Sequence, residues 1–194
     1  MTAVGTSTGK LILSGEHSVV YGQPALVTAV EVPLSVSVFK QNKTQKNDAY
    51  TTHILNLFSQ QNNLELPALS ITTESKIQSK SGMGSSAAYA HALLQSLYAL
   101  YDLPITKDAL FEQVLKAETF VHSNPSGVDP AAVVYGGTQL FEKTQNEMKR
   151  TSLSISNPVK LIFVHSGKAV ESTGEMVQKV AQKHQATDLS ETFK

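Results

Sequence analysis

Lys80-Ser81-Gly82-Met83-Gly84-Ser85-Ser86-Ala87-Ala88 joins a glycine-rich turn to the strongest helix signal in the chain. From Ser85 to about Tyr101 the apolar positions Ala87, Ala90, Leu93, Leu94, Leu97 and Tyr101 recur three and four apart, and Ala and Leu are good helix formers. Gly82 and Gly84 let the backbone adopt positive φ and approach a ligand closely. Ser85 and Ser86 then open a helix whose first amides have no partner inside it. Such a turn is either an ordinary helix start or a phosphate cradle, where unpaired N–H groups, the positive end of the helix dipole and two hydroxyls meet an anion. It is not a Walker A loop, because no Gly-Lys-Ser/Thr follows at the required gap.

Working outward, Lys10–Gly15 is a short apolar run ended by glycine, a strand feeding a turn. Val30–Phe39 alternates Val32, Leu34, Val36 and Val38 with Pro33, Ser35 and Ser37, a strand with one buried face. Lys40–Tyr50 is polar and reads as a loop, Thr51–Leu57 as a helix, and Leu66–Thr73 as a strand interrupted early by Pro67. Beyond Pro104, Thr106 is the expected N-cap of a helix carrying Leu110, Phe111, Val114, Leu115 and Val121 on one face. Lys160–His165 reads as a strand and Thr173–His184 as a helix. The polar, Ser-rich stretch Asn146–Pro158 is the expected boundary between residues 1–155 and 156–194. Strands and helices mix without regular alternation, which favours an α+β fold over a doubly wound parallel sheet.

Composition narrows the partners. Sixteen Lys+Arg balance 16 Asp+Glu among 194 residues, a net charge of zero that argues against nucleic acid and against an anionic membrane surface. At 41% hydrophobic residues the chain can bury a core. The absence of cysteine excludes a disulfide scaffold, a thiolate zinc site and a cysteine nucleophile. Met1-Thr2-Ala3-Val4-Gly5 lacks the pattern of a secretion signal, and no apolar run approaches the length needed for a bilayer core of about 30 Å. A cytoplasmic protein with a small-molecule substrate and no membrane is expected.

Three further segments carry chemistry. Glu118 falls on the apolar face of the helix after Thr106, where a carboxylate reaches water at the rim, pairs with a cation, or holds a metal such as Mg²⁺. In His122-Ser123-Asn124-Pro125-Ser126-Gly127-Val128-Asp129-Pro130, Asp129 sits on a rigid loop, either capping its own backbone or accepting a proton. In Gly9-Lys10 and Gly15-Glu16-His17-Ser18-Val19-Val20-Tyr21-Gly22, Lys10 is expected at a strand mouth as a compensating charge. Glu16 and His17 lie on the next turn, either solvated or contacting substrate.

Taken together these segments resemble the GHMP kinase family (galacto-, homoserine, mevalonate and phosphomevalonate kinases). The resemblance rests on Gly9–Gly22, on Gly82-Met83-Gly84-Ser85-Ser86-Ala87-Ala88-Tyr89 and on Asn124–Asp129, in that order and spacing, and covers Ala3 to Met176. It implies a ribosomal protein S5 domain 2-like N-terminal domain followed by the start of a ferredoxin-like domain. It implies ATP and Mg²⁺, with Asp129 and Lys10 catalytic and with Lys80, Ser81, Gly82, Met83, Gly84, Ser85 and Ser86 binding phosphate. Ser86 and Glu118 would hold the metal, and Glu16, His17, Tyr89 and Thr173 would face the substrate. The Glu16–Gly22 stretch favours mevalonate as acceptor; phosphomevalonate, homoserine, a sugar or a nucleotide-binding module without turnover are the alternatives, and a homodimer is compatible. Gln78 and Lys80 stand where the family usually has Pro and Gly, and Thr8 replaces a proline. The family's third, glycine-rich motif is not among these residues.

Overall fold

The computed structural model describes residues 2–43, 46–78, 81–122, 125–144, 147–157, 160, 162–164 and 173–187. In chain order it contains β1 (Thr2–Ser14), a 3-10 turn (Ser18–Tyr21), β2 (Ala25–Lys40), α1 (Ala49–Asn62), β3 (Leu69–Ser75), α2 (Ser85–Leu100), α3 (Lys107–Glu118), α4 (Val128–Tyr135), β4 (Thr138–Lys143), β5 (Met148–Leu153) and α5 (Thr173–Thr187). The strands form one antiparallel sheet ordered β1-β2-β4-β5, with β3 also paired to β2. Long β2 organises it. β1 runs along one side, while Ala25–Thr28 pair with β4 and Leu34–Lys40 with β3 on the other. No described helix is long and apolar enough to cross a membrane.

The alternation in β2 holds at Leu34, Val36 and Val38, which are buried, as is Val27 nearer the start of the strand, while Val32 is only partly buried. They face α2, whose Ala87, Ala88, Ala90, Ala92, Leu93, Leu94 and Leu97 are buried on nearly every side, so α2 is the central helix with α1, α3 and α4 around it. Its alanines allow close approach. β1 answers with small residues on its inward side, Ala3, Gly5 and Ser7, and so begins at Thr2 rather than at Lys10. Those residues carry almost no hydrophobic signal, which is why the strand is legible only in its last turn of sequence.

Other boundaries moved for local reasons. Asp48 accepts from Thr51 N at 2.8 Å, so α1 starts inside the polar stretch read as a loop, and Asn63 ends it with φ 51°. Thr106 caps α3 as expected, accepting from Ala109 N, but the helix closes at Glu118 and leaves Phe120 and Val121 half exposed. The expected boundary stretch contains β5, an edge strand exposed at every residue, whose pairing with β4 no alternation announced. Lys160–His165 was expected as a strand; its described residues, 160 and 162–164, form none, and Ile162 and Val164 are exposed. The expected helix at Thr173–His184 is present as α5.

One buried network crosses the β1–α2 contact. Gln95 Oε1 accepts from Thr6 N, so its Nε2 donates to His91 Nε2 at 3.0 Å, and His91 Nδ1–H therefore donates to Ser7 Oγ at 3.0 Å. Burial, helped by Lys107, pushes the His91 pKa down to about 4. The unfolded chain then binds the proton first. Stability is complete above the unfolded value near 6.5 and falls by about 3 kcal/mol as pH drops to 4. Urea midpoints of the parent and a His91→Gln variant are expected to converge between pH 7 and pH 4.5; parallel curves would refute the assignment.

Candidate active site

A bulge decides the centre of the site. The β1–β2 register shifts between Thr8 and Gly9, so Gly9 and Lys10 are both buried, and Lys10 turns to the side that strict alternation would deny it. Lys10 is thus inside the strand, not at its mouth as expected. Its Nζ lies 2.8 Å from Asp129 Oδ1, with side-chain exposures of 5% and 25%. Asp129 is not on a loop either: Gly127, at φ 87°, caps α4, and Asp129 and Pro130 fall in its first turn, where proline is tolerated and a carboxylate faces the positive helix end. An ammonium as buried as Lys10 needs such a partner.

The glycine-rich turn lies directly on this pair. Lys10 N donates to Met83 O at 3.1 Å. Gly84 has φ 67°, and a Cβ there would stand 2.9 Å from Lys10 Cγ and 3.3 Å from Asp129 Oδ2. Only glycine permits both the turn and this proximity. The first closed turn of α2 is Ala88 N to Gly84 O at 2.9 Å, which leaves the amides of Ser85, Ser86 and Ala87 without helical acceptors. Gly82 borders open space, Ser81 Oγ donates to Gln78 O, and the Met83 side chain is buried beside Gly9 rather than turned outward. Lys80 lies outside the described residues.

Glu118 is fully buried at the end of α3. Tyr50 Oη donates to its Oε1 at 2.8 Å, Ser86 Oγ donates to its Oε2 at 3.1 Å, and His122 Nε2 approaches Oε2 to 3.8 Å. Burial raises the Glu118 pKa, and the charge of Asp129 adds to that; the hydroxyls of Tyr50 and Ser86 and the His122 ring oppose it. Burial, with the neighbouring carboxylate, likewise keeps the Tyr50 phenol protonated. The oxygens fit Mg²⁺: adjacent ligands of an octahedral ion bound at about 2.1 Å stand about 3 Å apart, and Ser86 Oγ and Glu118 Oε2 are 3.1 Å apart. Among the described residues no three His, Asp or Glu side chains cluster for a metal. A cation here would complete its shell with water and phosphate oxygens, the habit of Mg²⁺.

Lys10, Asp129, Gly84, Ser86 and Glu118 therefore converge. The other expected residues are more scattered. Glu16 and His17 occupy the turn after β1, whose last residue, Ser14, lies about 13 Å along the strand from Lys10, with Glu16 exposed and His17 preceding the 3-10 turn. Tyr89 is half-buried one turn beyond Ser86, and its hydroxyl is engaged by Thr51 Oγ1 at 2.8 Å. Thr51 Oγ1 gives its own proton to Asp48, so Tyr89 is the donor and ties α2 to α1. Thr173 opens α5, and its side chain lies outside the described set. Sequence reasoning missed Tyr50 and Asp48; the Asp48-x-x-Thr51 spacing was a helix-start signal that could have found the latter.

Residues 49–137 match the family model of the GHMP kinases N terminal domain. Over 192 aligned residues the chain is 33% identical to the mevalonate kinase of Archaeoglobus fulgidus, covering 92% of this chain and 63% of that protein. The crystal structure of mevalonate kinase from methicillin-resistant Staphylococcus aureus superposes with a TM-score of 0.61 at 28% identity, covering 79% of this chain and 57% of its own. That of L. major mevalonate kinase in complex with R-mevalonate superposes with a TM-score of 0.72 at 21% identity, covering 99% and 64%. The chain thus spans somewhat under two thirds of the length of these proteins. With the glycine-rich turn, the matched central residues and the fold in agreement, the chain carries a GHMP kinase N-terminal domain.

Proposed function

We propose that this chain carries the phosphate loop and the reacting groups of a cytoplasmic, ATP- and Mg²⁺-dependent kinase that phosphorylates the hydroxyl of mevalonate. The observation that supports it most is the Lys10–Asp129 pair lying against Gly84 of the loop. Mevalonate as the acceptor is supported by the relatives, which are mevalonate kinases. In this reading residues 1–155 form the nucleotide- and substrate-binding domain and 156–194 open a second.

Each group has a task in phosphoryl transfer, where positioning and electrostatics supply most of the acceleration. The amides of Gly82 to Ser86 grip the phosphate tail of ATP. Asp129 Oδ2, the oxygen turned towards Gly84, takes the proton of the attacking hydroxyl. Lys10 orients Asp129 through Oδ1 and sets a positive charge beside the transferring group. Ser86 Oγ and Glu118 Oε2 hold the cation. When bound, Mg²⁺ would neutralise charge on the β- and γ-phosphates. Glu16 and His17 would meet the acceptor from the neighbouring turn.

The test is mevalonate-dependent ADP release by the protein with Mg²⁺, alongside phosphomevalonate, homoserine and galactose. Mevalonate is expected to be preferred. Turnover with another acceptor alone would correct the substrate, and nucleotide binding without turnover on any of them would reject a kinase. The metal role gives a separate expectation. Glu118→Gln removes a buried carboxylate that costs free energy to desolvate, so its melting temperature should not fall, whereas the KM for Mg²⁺ should rise about tenfold or more. An unchanged KM would refute the role.

A further inference from the structure

Tyr50 stands in the second position of α1, a helix that otherwise contributes nothing to the centre of the site, yet its hydroxyl reaches 2.8 Å from Glu118 Oε1 and 3.4 Å from the Ser86 carbonyl oxygen. The phenol thereby bridges the two residues offered to the cation. Its position is fixed from both sides: the ring packs at 5.8 Å from Phe120 and 6.2 Å from Tyr89, and the first turn of α1 is anchored by the Asp48 cap on Thr51. The consequence lies in which oxygen of Glu118 remains. With Oε1 committed to the phenol, Oε2 alone faces Ser86 Oγ.

We propose that Tyr50 is a positioning residue that sets metal selectivity, by restricting Glu118 to one coordinating oxygen and so favouring Mg²⁺ over Ca²⁺. The inference rests on the metal role of Ser86 and Glu118 put forward above. Mg²⁺ is small, octahedral and accepts single carboxylate oxygens, whereas Ca²⁺ accommodates more ligands and takes carboxylates through both oxygens. Partners behind a ligating carboxylate commonly change metal affinity by about 10- to 100-fold when removed. A Tyr50 hydroxyl that only supported the fold would shift both cations alike.

The experiment is calorimetric titration of Mg²⁺ and of Ca²⁺ into the ADP-saturated protein, with no turnover involved. In Tyr50→Phe, which keeps the ring contacts, the ratio of Mg²⁺ to Ca²⁺ affinity is expected to fall about tenfold, while ADP binding without metal stays the same. Glu118→Asp, which withdraws the carboxylate from the phenol and retains its charge, is expected to lower the same ratio without touching Tyr50. In a Glu118→Gln background, Tyr50→Phe should leave the ratio alone. A ratio preserved in both Tyr50→Phe and Glu118→Asp overturns the inference while leaving the metal site standing. Failure of the parent protein to bind either cation with ADP overturns the metal site and the inference together.

Discussion

Asp129→Asn is expected to lower kcat by about 10³-fold or more and to leave the affinity for ATP near that of the parent. The substitution is isosteric, so the amide oxygen can still accept from Lys10 Nζ, which sits 2.8 Å from Oδ1. The position of Oδ2, beside Gly84, becomes an NH2 group that cannot receive a proton. A fall in kcat without a matching rise in the KM for ATP is the signature of a group acting on the reacting atoms. The variant also tests the electrostatics. The Lys10 side chain is only 5% exposed and loses its counter-charge, which should cost about 2 kcal/mol or more of stability. Lys10→Met combined with Asp129→Asn should then be less destabilised than the two single costs predict, because no buried charge remains unpaired. Strict additivity would show that the pair is not coupled in the folded protein. Turnover of the Asp129→Asn protein within tenfold of the parent would remove Asp129 from the chemistry.

Why the sequence announced Asp129 and Lys10 but misplaced both is instructive. Residue type and order survive in a string of letters, and the helix of Ala87 to Leu97, the strand of Val32 to Val38 and the Thr106 cap were readable because their physics is local. A bulge is not local: only pairing with β2 shows that the register slips after Thr8 and turns Lys10 inward. Asp129 was assigned to a loop because Gly127 and Pro130 are usual turn residues, yet Gly127 is a cap and Pro130 sits in a first helical turn. Tyr50 left no signal at all. At the end of a polar stretch it looked like a loop residue, and its meaning depends on Glu118, 68 positions away. The first half of β1 was hidden for the opposite reason, since close contact with α2 selects glycine, alanine and serine over larger apolar residues.

That contact sets the largest expected effect on stability. A Cβ on Gly5 would overlap the carbonyl oxygen of Ala92 and stand 2.8 Å from Ser96 N. Both are backbone atoms of α2, so no rotamer change relieves the clash, and either β1 or the helix must move. Overpacking of this kind costs about 3 kcal/mol or more, which for a chain of this size lowers the melting temperature by about 6–12 °C. Gly136→Ala is the control for contact: its Cβ meets nothing within 4 Å, and the penalty comes from its own backbone, φ 73° with ψ −178°, a region essentially kept for glycine, at about 1–3 kcal/mol. The displacement also carries to the site, because α2 begins with Ser85 and Ser86 and its cap Gly84 lies against Lys10. Folded Gly5→Ala protein, examined well below its melting point, should therefore show a raised KM for ATP, whereas Gly136→Ala should not. A melting temperature for Gly5→Ala equal to that of the parent would mean that β1 and α2 do not approach as closely as the structure places them, and the position of the glycine-rich turn over Lys10 would lose its support.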